Sequence, residues 1–167
     1  IKYLGVAKMT VEPAYNASES QCNLEYIKAI KPGLMTIKGT IAEKYLGKRN
    51  INVLPNQHAW FHPSIGINKF PSMVSMISTP DGELASLHIT YLDDSGNKAN
   101  IEVQKRVLPP VHSISGGAIR LFKPAEVMAV AEGIETALAV NQLEGLPVWA
   151  LVNAGNMEKF VPPEICK

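Results

Sequence analysis

Apolar positions recur along this chain at two spacings, and the switches between them mark its organisation. Leu24, Ile27 and Ile30 fall on one face of a helix that starts near Ser18 and that Pro32-Gly33 stops. A second helix is predicted from Thr40-Ile41-Ala42-Glu43, which has capping-box spacing, with Tyr45 and Leu46 as its buried face. Lys48-Arg49 suit the negative end of its dipole, and Asn50 stands where a left-handed exit residue is needed. Residues 1 to about 17 mix Gly5, Pro13 and Asn16 with short apolar pieces and read as an irregular or weakly stranded lead-in.

In the middle of the chain the pattern becomes strand-like. Residues 72–78 and 83–91 form a hairpin around Thr79-Pro80-Asp81-Gly82, whose Pro, Asp and Gly are favoured in tight turns. A second turn at Asp93-Asp94-Ser95-Gly96-Asn97 leads into residues 99–107, and 118–122 add a further strand, which predicts an antiparallel meander of three or four strands. Beyond Lys123-Pro124 the order is strand (127–130), helix (134–143), strand (148–152) and a short helix near 157–160. That alternation indicates a parallel sheet with right-handed crossovers. The fold class expected is therefore an α+β lobe with an antiparallel meander, residues 1–123, followed by the beginning of an α/β parallel sheet, residues 124–167. Trp149 and Leu151 alternate with Val148, Ala150 and Val152, and helices on both faces of such a sheet require both sets to be buried.

Composition changes this picture little. With 167 residues, 46% of them hydrophobic and 19% charged, the chain is neither disordered nor fibrous. A net charge of +1 provides no global attraction for nucleic acid, so any such contact must come from a local basic patch. Cys22 and Cys166 are too few for a disulfide framework or a paired zinc site, which fits a reducing, cytoplasmic setting. The longest apolar run, 127–131, is far short of a bilayer span, and the start of the chain is unlike a signal peptide, so no membrane partner is expected. A chain that begins at Ile1 and stops at Ile165-Cys166-Lys167 reads as a piece of a longer protein.

Chemistry is most legible at Ala131-Glu132-Gly133-Ile134-Glu135-Thr136, where an apolar strand gives way to a helix. Open α/β sheets bind ligands at the carboxyl ends of their strands. Glu132 is placed to aim its carboxylate into that crevice, and Gly133 to permit a sharp turn or a close approach. The competing reading is that Glu132 or Glu135 caps the helix.

Val130-Ala131-Glu132-Gly133-Ile134-Glu135-Thr136-Ala137-Leu138-Ala139, with Pro147-Val148-Trp149-Ala150 and Ala154-Gly155-Asn156, resembles the first half of a Toprim domain, most closely that of primases of phages, plasmids and integrative elements. The preceding lobe resembles the region before Toprim in those proteins, through Gly39-Thr40, Tyr45-Leu46 with Arg49, Phe61-His62-Pro63, Pro71-Ser72-Met73, Pro80-Asp81-Gly82, His88, Thr90-Tyr91-Leu92 and Gly116-Gly117-Ala118-Ile119-Arg120-Leu121. The resemblance implies a primase making RNA primers on a single-stranded DNA template. Its partners would be ribonucleotides and a helicase domain or protein, and its cofactor Mg2+ or Mn2+ in the intact protein. It makes Glu132 the general base or metal-proximal carboxylate. Gly133, Glu135, Asn153, Gly155 and Asn156 would line the nucleotide and phosphate crevice. The family's Asp-x-Asp belongs on the next strand, and no Asp follows Asp94, so the metal site at Glu132 is expected to be incomplete. Asn50 stands for a usual Gly, and Ile89 interrupts a His-Arg-Thr-Tyr-like run.

Other constellations carry less. His58 and His62 have helical metal spacing, but Trp60, Phe61 and Pro63 argue against a helix there. Asp93 and Asp94 read as a solvated turn, and Ser113-Ile114-Ser115-Gly116-Gly117 lacks the ending of a P-loop. Lys98, Lys105, Arg106 and Arg120 form either a stripe for a phosphate backbone or an ordinary solvated face. Beside the primase stand two alternatives: a single-stranded nucleic-acid-binding module without catalysis, and a Toprim nuclease.

Overall fold

The computed structural model describes residues 17–66 and 69–167. What was expected of residues 1–16 lies outside them. Helix α1 (Ala17–Ile30) ends in a short 3-10 turn, Lys31–Gly33, where Pro32 supplies no amide for a further helical bond. Helix α2 (Ile41–Gly47) begins at Thr40, whose hydroxyl accepts from the Ala42 amide at 3.2 Å. Glu43 reaches back to the Gly39 amide at 2.6 Å rather than to that of Thr40, a variant of the capping box. Asn50 leaves α2 with φ 58, in the left-handed region.

Four antiparallel strands form the meander in the order β1 (Ala59–Ile65), β2 (Phe70–Ser78), β3 (Leu84–Tyr91) and β4 (Lys105–Val107). The hairpin turn closes through the Gly82 amide on the Thr79 carbonyl, 2.9 Å, with Gly82 at φ 94. Membership differs from expectation at both ends. The first strand is β1, which pattern reading missed because His62-Pro63-Ser64 interrupts its alternation at a register shift between His62 and Ile65. Strand β4 is three residues long instead of spanning 99–107. Residues 118–122 form no strand. Ala118 bridges Ser78, and Ile119 bridges Ala150.

The second sheet has two parallel strands, β5 (Ala129–Ala131) and β6 (Val148–Ala150), joined by α3 (Ile134–Glu144). Gly145 ends α3 at φ 69, its amide on the Asn141 carbonyl at 2.9 Å. After β6 comes α4 (Ala154–Lys159), capped by Asn153. The fold is α+β: an antiparallel four-stranded sheet with helices, then a small parallel sheet.

Alternation on β2 divides the interior. Val74 faces α1 in a cluster with Ile27, Ile30, Leu87 and Ile89. Met73 and Ile77 face the other way, into a cluster that also holds Tyr45 and Leu46 of α2, Ile134 and Leu138 of α3, and Val148 and Ala150 of β6. One core is thus shared by the meander and the parallel sheet. Trp149 is buried, its indole N–H donating to the Phe122 carbonyl at 2.8 Å. Among the described residues no helix is long and apolar enough to cross a membrane.

Candidate functional site

Because β5 and β6 are parallel, Glu132 and Asn153 leave the sheet at the same edge, the carboxyl end where such sheets bind ligands. Glu132 is exposed, and no hydrogen bond or ion pair among the described residues engages its carboxylate. The chain bends at Glu132 and Gly133 between β5 and α3, but Gly133 caps α3 with φ −115 and ψ 158, extended backbone that any residue adopts, so the bend does not itself require glycine. The unusual backbone lies instead at Val152, φ 71, just past β6. A β-branched residue in that region is strained by roughly 1–3 kcal/mol. Sequence reading had no signal for it, since glycine or asparagine is the usual mark of this conformation.

Glu135, in the first turn of α3, has a different fate. Its carboxylate accepts from the Tyr45 hydroxyl at 2.6 Å, and the Lys105 ammonium lies 2.8 Å from one oxygen and 2.9 Å from the other. Burial alone would raise this carboxyl. The hydrogen bonds from Lys105 and Tyr45, with the Lys105 charge, outweigh it and hold the group down at about 2. Tyr45 is driven well above its ordinary value, first by burial and then by the hydrogen bond to Glu135 and the charge it carries. The Arg49 guanidinium lies 4.9 Å from the centre of the Tyr45 ring.

Two further groups sense this cluster. His88, on the inner face of β3, is pushed down to about 4 by burial and by the charges of Lys105 and Lys98, with Glu135 opposing. Its Nδ1, and the hydroxyls of its sheet neighbours Ser75 and Thr90, are buried without hydrogen-bond partners. Lys98 is drawn down by burial and then by Lys105, against a rise from Glu135. Beside them Tyr45, Lys48, Arg49, Gly96, Asn97 and Lys98 line a cavity of about 500 Å³. A hollow with three cations and no acid suits phosphate. Sequence reading placed Tyr45 on the buried face of a helix and Arg49 at its end but did not bring either together with His88 or Glu135, because contacts across 30 to 90 positions leave no local trace.

The remaining expected site residues scatter. Lys105 points into the cluster, and Arg106, the next residue on β4, looks out from the opposite face, as strand alternation demands. Arg120 is committed elsewhere: it donates to the carbonyls of Thr79 (3.0 Å) and Pro80 (2.7 Å) and lies 4.7 Å from the centre of the Trp149 ring. The Asn153 side chain caps α4 by accepting from the Asn156 amide, 2.9 Å, beside Gly155. Asn156 is buried and clasps a glycine pair, accepting from the Gly116 amide and donating to the Gly117 carbonyl, each at 3.2 Å. Only glycine fits at 117, where a Cβ would lie 2.7 Å from the Ser78 carbonyl oxygen. His58 contacts the Ser78 hydroxyl at 3.2 Å, while His62 accepts from the Ser64 amide at 3.0 Å.

The family described as Domain of unknown function (DUF7146) matches residues 24–121, more than half of the chain. The chain belongs to this family. Residues 127–167, from just before β5 through α4, match the Toprim domain, so this is a Toprim-containing chain, as the Glu132-Gly133 segment led us to expect. No curated protein matches it. A Toprim domain implies a nucleic-acid-related function, in primases or nucleases, and such domains generally bind divalent cations such as Mg2+. The described residues do not fit a complete cation site. No three His, Cys, Asp or Glu side chains gather among them, and the carboxylate nearest Glu132 in sequence, Glu135, is already taken by Lys105 and Tyr45. The Glu135 latch therefore joins the two family segments, with its carboxylate in one and its partners in the other.

Proposed function

We propose that this chain is the nucleic-acid-handling part of a Toprim primase and contributes Glu132 to joining ribonucleotides on a single-stranded DNA template. The supporting observation is the contrast between two glutamates three residues apart. Glu135 is neutralised by fixed partners, while Glu132 stands free just past the end of β5, two residues before the helix that carries the latch to the basic cluster. In the joining step a sugar 3′-hydroxyl attacks an α-phosphorus, the new P–O bond forms as pyrophosphate leaves, and the hydroxyl proton needs an acceptor. An unpaired carboxylate is suited to that role. Arg49, Lys48 and Lys98 would offset the charge of the polyphosphate. Mg2+ or Mn2+ would supply further charge neutralisation, with Glu132 the carboxylate at this strand end left to hold it.

The test is primer synthesis by the natural protein that carries this chain. Glu132→Gln keeps size and polarity but removes the base, and should lower the rate at least 100-fold. A wild-type rate would overturn the catalytic role. Products that are cleaved strands rather than new primers would point to a Toprim nuclease. That no three His, Cys, Asp or Glu side chains gather among the described residues favours a second reading, a module that binds single strands without catalysis. Binding that weakens steeply with salt and no Mg2+-dependent activity in the natural protein would support it.

A further inference from the structure

On the far side of the meander from Glu135 lies a hollow of about 850 Å³, between α1 and the end of the sheet. Tyr26 of α1 reaches into it and is 47% exposed, with no ring or hydrogen-bond partner among the described residues. Across the hollow the Phe70 and Tyr91 rings meet edge to face at 6.3 Å, bracing each other as a second aromatic wall. Arg106 lies at the rim, exposed, and no carboxylate among the described residues pairs with it. Glu102 also lines the groove.

A free aromatic face, that of Tyr26, beside an unpaired guanidinium is what a splayed nucleotide uses: the base stacks and the phosphate meets the cation. Because Glu102 opposes a long polyanionic track, the groove suits one or two nucleotides rather than an extended strand. Its carboxylate can accept from an exocyclic amino group. We propose that this groove is a second single-strand site, which stacks one or two bases of a single-stranded nucleic acid on Tyr26 with a phosphate at Arg106. It rests on the nucleic-acid role of the Toprim segment but not on Glu132. Strand β4 would then serve both sides of the sheet, with Lys105 inward to the latch and Arg106 outward to the strand.

Fluorescence anisotropy of a labelled 15-nucleotide DNA with the whole chain tests this. Tyr26→Ala should weaken binding roughly 5- to 150-fold, the range for losing one stacked base. Tyr26→Phe, which keeps the ring, should stay within about twofold. Arg106→Gln should weaken binding and lower its salt dependence by about one counterion. Tyr26 is half exposed, so an unchanged melting temperature is expected to accompany the loss. Binding by Tyr26→Ala and Arg106→Gln equal to wild type, or no binding by the wild-type chain, would overturn the site. The two readings fail separately. Primer synthesis by Glu132→Gln at the wild-type rate removes the catalytic reading and leaves this groove standing, while unaltered Tyr26→Ala binding does the reverse.

Discussion

Burial ought to make Glu135 a weak acid and His88 a neutral base, and the cations around them cooperate in one case and oppose in the other. For Glu135, Lys105 and Tyr45 bring the folded carboxyl to about 2 from the usual 4.5, so its contribution to stability is fully present above about pH 4.5 and is lost as pH falls toward 2. For His88 the folded value is about 4 against 6.5, so the unfolded chain takes up a proton first and stability falls from pH 6.5 down to 4. Each limb corresponds to about 3 kcal/mol. Urea denaturation between pH 7 and 3 should therefore show stability dropping in two stages. His88→Phe should flatten the upper stage and Glu135→Gln the lower. A curve for His88→Phe that keeps the wild-type slope between pH 6.5 and 4 would show that another group carries that limb.

At the scale of elements, β6 and the glycine pair in front of it decide whether the parallel sheet docks. Trp149→Ala removes a buried indole together with its hydrogen bond to Phe122, and should cost about 3–5 kcal/mol in a denaturant melt. Gly117→Ala places a methyl against the Ser78 carbonyl, and the resulting shift should cost about 1–3 kcal/mol in the same assay. Elements with local causes were readable in the sequence: the Thr40 cap, the Asn50 exit and the Thr79–Gly82 turn each depend on one or two residues. Strand β1 was not, because its edge carries a proline and a register shift that erase alternation. Residues 118–122 misled for the opposite reason. They are apolar enough for a strand, yet serve as isolated bridges between two sheets. The strand-end position of Glu132 was legible as a motif, whereas the Tyr45–Glu135–Lys105 latch was not, since three separate elements supply it.

For the whole molecule the decisive quantity is the number of carboxylates free to meet a cation. With Glu135 committed, Glu132 alone would leave Mg2+ most of its water shell, and calorimetric titration of residues 1–167 with Mg2+ should show no tight stoichiometric binding. Tight binding abolished by Glu132→Ala would mean that ligands now read as loop, Asp93 or Asp94, fold back to it. The bridge at Ala118 and Ile119 bears on how such a molecule can be inherited. Ile119 exchanges both its backbone hydrogen bonds with Ala150, at 2.7 and 3.0 Å, and Ala118 does the same with Ser78, at 2.9 and 3.0 Å, so one dipeptide stitches the two family segments together. A Toprim segment transplanted from another gene would arrive with its central strand unpaired on one side and Tyr45 lacking its carboxylate. The two segments are therefore expected to change in step through descent, and a graft succeeds only when the stitch travels with the strand it holds.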